Sequence, residues 1–187
     1  MRTKIKIILI GLLVLLALSA CSGKVLVPLE TETAPNKPSD FNPDTSDAIA
    51  TLKESLKNKD ADSFKSLFSK KNVSEVSDLD TQIQALFDYV GDVVDVYAAG
   101  GDDDTYAEGG GKTPEGYVLN REHFFKIKTE EKEFALNFLE IVVDSQNNDN
   151  LGFVCVYVKP TDAVNPVFEG DADGTQYLPG IHLAKSN

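Results

Sequence analysis

The hydrophobic repeat of this chain changes period at Gly91, and that switch restricts its possible folds more than any other feature. Upstream, Leu79, Ile83, Leu86, Phe87 and Val90 recur at the spacing of one helical face, and Gly91 allows the helix to stop. Downstream, the apolar residues alternate with polar ones. Over residues 117–128, Leu119, Phe125 and Ile127 fall on one side, and Asn120, Glu122, Lys126 and Lys128 on the other, the pattern of a half-buried strand. A chain whose helical segments precede its strands is expected to segregate them, with one face of an antiparallel sheet laid against the helices.

The remaining segments fit this division. Asp44 or Ser46 can cap a helix whose Ile49, Leu52 and Leu56 share a face, and Asp60 can cap a second carrying Phe64, Leu67 and Phe68, so that the two form a hairpin. A third helix starts near Ser77 or Asp78. Val94, Val96 and Tyr97 suggest a first strand that dissolves into Gly100, Gly101 and Asp102 to Asp104. Residues 134–143 and 151–159 read as two long strands joined by Ser145, Gln146, Asn147, Asn148, Asp149 and Asn150, side chains that favour turns. Ile181 and Leu183 suggest a short edge strand or a segment packed on the rim. The expected fold class is α+β: three N-terminal helices on a curved antiparallel sheet of three to four strands.

Ahead of this domain the chain reads as a leader and a tether. Arg2, Lys4 and Lys6 precede an apolar run over residues 7–18, too short for an ordinary spanning helix, and Leu18, Ser19 and Ala20 lead into Cys21. This segment resembles a bacterial lipoprotein signal, in which the cysteine thiol receives a diacylglyceryl group and cleavage makes Cys21 the new N-terminus. Residues 1–20 are then the signal peptide. Residues 21–43 are the lipidated cysteine and a flexible tether with Pro28, Pro35, Pro38 and Pro43, and residues 44–187 are one α+β domain. Two acyl chains, palmitate among the candidates, hold a protein stably where one would exchange. The expected location is the cell membrane, facing away from the cytoplasm.

The formal net charge is −12, and loss of the leader with its three positive charges makes the mature chain more acidic still. Such a surface excludes nucleic acid as a partner and excludes electrostatic adhesion to anionic lipid, which leaves the lipid to do the holding. Of the two cysteines, Cys155 lies in the apolar run Phe153, Val154, Cys155, Val156 and Tyr157 and reads as a buried hydrophobe, so stability has to come from the core.

The order of elements resembles the nuclear transport factor 2-like fold, a cone in which a curved sheet wraps a helix and leaves a pocket. Within that class, residues 44–159 resemble a family of small bacterial lipoproteins described only as a domain of unknown function. The matching pieces are Asp60 with Phe64, Leu67, Phe68 and Ser69, then Asp80 with Ile83, then Lys128, Thr129, Glu130 and Glu131, and Gly152 opening the next strand. The resemblance implies a fold and a location, and the family brings no established activity.

Among residues able to carry chemistry, His123 stands first. Alternation places it beside Arg121 and between Leu119 and Phe125 on the face turned to the helices, where an imidazole can act as acid or base near neutral pH. Glu140 interrupts the apolar side of the next strand and can face Arg121 or His123 across the ladder. The resembled superclass includes isomerases and dehydratases that use such positions. The plainer alternative is a structural ion pair with a satisfied histidine. Tyr117, Phe125 and Phe138 are candidates to line a ligand pocket, although strand aromatics most often fill a core.

Other motifs are incomplete. Glu169, Asp171 and Asp173 before Gly174 copy the first half of a calcium loop, but Gly180 stands where a bidentate glutamate is required. Gly109, Gly110 and Gly111 lack the lysine and serine of a phosphate loop. Neither His123 nor His182 has a histidine or cysteine at ligand spacing, so no metal or other cofactor is expected. The reading is a lipid-anchored, non-enzymatic module that binds a small molecule or an envelope protein. The alternative is a pocket enzyme that uses His123 and Glu140.

Overall fold

Asp60 and Ser69 decide where the early helices break. The computed structural model describes residues 44–101, 105–114, 116–164, 167–168 and 177–185, all within one unit, Pro38–Asn187. The first helix, α1 (Ser46–Asn58), ends where Lys59 takes a left-handed conformation. Asp60 then accepts hydrogen bonds from the N–H (3.1 Å) and hydroxyl (2.7 Å) of Ser63 and starts α2 (Ala61–Lys65). Ser69 accepts the Asn72 N–H at 3.1 Å and starts α3 (Lys70–Glu75). The longer α4 (Leu79–Val90) stops at Gly91, whose φ of 76° suits glycine.

Six strands follow: β1 (Val93–Ala98), β2 (Tyr106–Thr113), β3 (Gly116–Thr129), β4 (Glu133–Asp144), β5 (Gly152–Pro160) and β6 (Gly180–Leu183). They form one sheet in the order β1-β3-β4-β5-β6, with β2 also paired to β3. Strand β1 covers β3 from Phe125 to Thr129, and β2 covers it from Gly116 to His123, so the two share one edge of β3 end to end. All pairings are antiparallel except β5 with β6.

The expected plan of three helices on a three- to four-stranded sheet, in the manner of the nuclear transport factor 2-like fold, is therefore corrected. The sheet has six strands, mostly antiparallel, and the described residues form four α-helices, two of them of five and six residues, and a 3-10 turn at Asn148–Asn150. Three local causes account for the difference. The helix expected through Phe68 breaks because Phe68 bridges Phe153 on β5 instead. Strand β2 has a glycine run where apolar alternation would have signalled it. Strand β6 runs parallel to β5 and is too short to show a period. On β1 a register irregularity between Val93 and Asp95 leaves Val94 exposed and turns Val96 and Ala98 inward.

The core lies between the helices and one face of the sheet. Leu52, Leu56, Ile83, Leu86 and Phe87 meet Phe125, Ile127, Phe134, Leu136, Val156 and Val158 there, each burial contributing about 1.5–3 kcal/mol. Cys155 and Tyr157 project to the other face, where Phe168 and Ala184 cover them. The β3–β4 turn is organised by the Thr129 hydroxyl, which accepts the Lys132 N–H at 3.1 Å and donates to the Lys132 carbonyl at 3.0 Å.

The helices dock onto β5 through backbone contacts. Phe153 N–H donates to Leu67 O (2.8 Å), and Ser69 N–H donates to Phe153 O (3.1 Å). The buried Asn72 amide donates to the carbonyls of Phe153 (2.9 Å) and Val154 (2.7 Å). Gly152 permits this approach: its φ is 117°, and a Cβ there would lie 2.8 Å from Leu67 O. Gly152→Ala should therefore lower stability by about 2–3 kcal/mol. Gly111→Ala, where an added Cβ meets nothing within 4 Å, should stay within about 0.5 kcal/mol of the parent. Urea denaturation of the two variants beside the parent measures both; equal losses would refute the close-approach account.

Candidate functional site

Strand alternation turns Arg121, His123 and Phe125 to the helical face of β3, and register lines up their neighbours. Tyr106, His123 and Phe138 sit opposite one another on β2, β3 and β4, and so do Glu108, Arg121 and Glu140. The inner face at this end of the sheet thus carries a row of rings beside a row of alternating charges.

The charge row is held by short contacts. Arg121 places Nε and Nη2 each 3.0 Å from Glu108 Oε1. His123 Nε2 lies 3.2 Å from Glu140 Oε2. With an ionised Glu140, which only accepts, Nε2–H would be the donor in this contact. Arg121 is 2% exposed and His123 0%, whereas the Glu108 side chain, at the rim, keeps 30% of its surface. A guanidinium this deep loses much hydration and is tolerated because the Glu108 carboxylate faces it.

The rings close the site from both sides. His123 stacks on Phe138 with centroids 4.5 Å apart and planes 14° from parallel. Tyr106 lies 5.8 Å from His123 and covers Arg121, whose guanidinium carbon is 4.6 Å from the Tyr106 ring centre. From Phe138 the contacts continue through Phe153, Phe68 and Phe64 to Phe87, which ties the site to the helical core. An acid–base pair works only within hydrogen-bond reach of a substrate proton, and an imidazole without accessible surface offers none in this conformation.

The structure thus brings His123, Arg121 and Glu140 together. It does not join Tyr117 to Phe125 and Phe138. The two phenylalanines are packed in the core, while Tyr117 stands at the β2–β3 hairpin opposite Lys112, its N–H donating to Ser145 Oγ at 2.9 Å. His182 is far along the chain on β6, stacked on Tyr157 and bonded through Nε2 to Leu178 O at 2.8 Å. Tyr177 donates to Glu122 Oε2 at 3.1 Å on the outer face, and burial first, then the Glu122 charge, raises its phenol above the usual value, which keeps the donor proton in place. Cys21, Asp102 to Asp104 and the calcium-like stretch at Glu169 to Gly174 lie outside the described residues.

Sequence reasoning missed Glu108 and Tyr106. Their signal was the run Tyr106, Glu108, Gly110 and Lys112 at every second position, with the glycines read as strand. Three surface hollows among the described residues have no member of the charge row in their walls. One of about 530 Å³ sits between the end of α4 and the β3–β4 turn, lined by Asp88, Asp92, Glu130, Glu131 and Lys132 among others. Two flank α3, at about 440 and 500 Å³, and share Lys70 and Ser74. Among the described residues no three His, Cys, Asp or Glu side chains gather to hold a metal ion, and no helix is long and apolar enough to cross a membrane.

Arg121→Met keeps the bulk and removes the cation that faces Glu108. It should cost about 2–4 kcal/mol, while Lys126→Met on the outer face, paired with Glu133 at 4.0 Å, should cost under about 1 kcal/mol. Urea midpoints with unchanged slopes give the comparison, and equal costs would show that the charge row has no special weight.

No curated protein matches the chain. Residues 52–164, from within α1 to beyond β5 and including Arg121, His123 and Glu140, match the family described as a domain of unknown function, DUF5104, and the chain belongs to that family.

Proposed function

We propose that this protein is a lipid-anchored module outside the cytoplasm that binds a small molecule or an envelope protein and performs no catalysis. The anchor rests on Cys21 after Leu18, Ser19 and Ala20, behind a charged and apolar leader, with residues 21–43 as the tether. The observation that carries the non-enzymatic reading is the complete burial of His123 between Phe138 and Tyr106. In this role the charge row is structural and fixes the register of β2, β3 and β4. Hollows of about 440–530 Å³ fall within the size range of small-ligand sites and support binding at the surface.

A second reading has one observation in its favour. The 3.2 Å contact of His123 with Glu140, beside Arg121, is the geometry of an acid–base pair in an isomerase- or dehydratase-type pocket, and it would operate if Tyr106 swung aside.

Two experiments test these readings. Cys21→Ala should abolish incorporation of radioactive palmitate and leave an uncleaved precursor; label retained by the mutant would remove the lipoprotein assignment. His123→Gln should lower stability by about 1–2 kcal/mol and leave ligand binding intact. A metabolite screen in which the parent turns over a substrate and the folded His123→Gln variant loses about 10²–10⁴-fold in rate would instead establish the enzyme.

A further inference from the structure

Strand β2 pairs with β3 on one side, and among the described residues its other side carries no strand of the sheet. Tyr106, Ala107, Glu108, Gly109, Gly110 and Lys112 are all exposed along it. The Phe124 N–H donates to Thr105 O at 2.8 Å, so Thr105 and every second residue after it bond to β3 in the alternating antiparallel pattern. Tyr106, Glu108, Gly110 and Lys112 therefore direct their own N–H and C=O groups outward. An edge of this kind is a template for another strand.

We infer that β2 is a self-association surface on which a second copy of this chain pairs its own β2, antiparallel and centred on Gly110. The sequence of the edge is complementary to itself in that register. Outward-facing groups meet outward-facing groups, Gly110 lies opposite Gly110 of the second copy, and Glu108 lies opposite Lys112 on the same face of the joined sheet, twice by symmetry. Tyr106, 43% exposed, comes opposite the exposed Pro114, whose missing N–H ends the ladder there. Lys112 has no ion-pair or hydrogen-bond partner among the described residues. Arg121 holds the Glu108 carboxylate at the rim from within, so half of each intermolecular pair is already positioned. Gly109, Gly110 and Gly111 add no side chains that would keep the two backbones apart. One strand edge buries less than the roughly 1,200–2,000 Å² of a stable interface, so the pairing is weak in free solution.

The test mixes isotope-labelled and unlabelled full chain in detergent micelles at a concentration on the order of 0.1 mM and adds a zero-length carbodiimide, which joins carboxylate to amine only in direct contact. The expected result is a cross-linked peptide joining Glu108 of one isotope to Lys112 of the other. Sedimentation should show a dimer whose dissociation constant rises at least about tenfold in Lys112→Glu, where four like charges face one another, with unchanged circular dichroism. Lys112→Arg, which keeps the charge, should sediment as the parent does. A chain that stays monomeric, a dimer without the mixed-isotope Glu108–Lys112 link, or a Lys112→Glu variant that dimerises as well as the parent would each overturn the inference.

Discussion

Among the described residues, the helical and sheet halves meet through main-chain hydrogen bonds where Leu67, Phe68 and Ser69 approach Gly152 and Phe153. Much else in the fold answers to that contact. It ends the helical stretch at Phe68, it makes Ser69 the cap of α3, and it requires the Asn72 amide to satisfy two carbonyls of β5 that the sheet leaves open on that side. Buried backbone groups without partners are costly. The approach is supported because the N–H groups of Phe153 and Ser69 and the carbonyls of Leu67, Phe153 and Val154 are taken up, and because Gly152 has no side chain to hold the two segments apart.

The row Glu108, Arg121 and Glu140 imposes a different kind of order. Apolar packing tolerates a slip of one strand past another if the faces are alike, whereas a slip of one residue here would turn a buried guanidinium away from the Glu108 carboxylate. The charges contribute less to net stability than to the choice of register, since desolvation offsets much of their attraction. The stacked rings of His123, Phe138 and Phe153 carry the same registry toward the helices.

Where local signals were strong, the structure was legible in the residues. The Asp60 cap, the stop at Gly91 and the alternation through Phe125 and Ile127 each follow from the chemistry of a few neighbours. The inward placement of Arg121 and His123 followed from the same alternation. What escaped was set by contacts distant in sequence. Phe68 follows Phe64 at helical spacing, and only its bridge to Phe153 removes it from a helix. Strand β2 has three consecutive glycines and takes its conformation from β3, so periodicity could not reveal it, and Glu108 was lost with it. The parallel pairing of β6 is decided by its neighbours β5 and α4 rather than by its four residues.

That last strand is tied to α4 by Gln82, whose Oε1 accepts the Ile181 N–H at 2.8 Å across 99 residues of chain. A bond spanning so much sequence forms late, because ordering the intervening loop has to be compensated by contacts already in place. A nascent chain therefore holds an open edge on β5 until residue 181 has emerged and α4 has packed. The interval before that edge closes is when this molecule is most exposed to proteolysis and to pairing with the wrong strand.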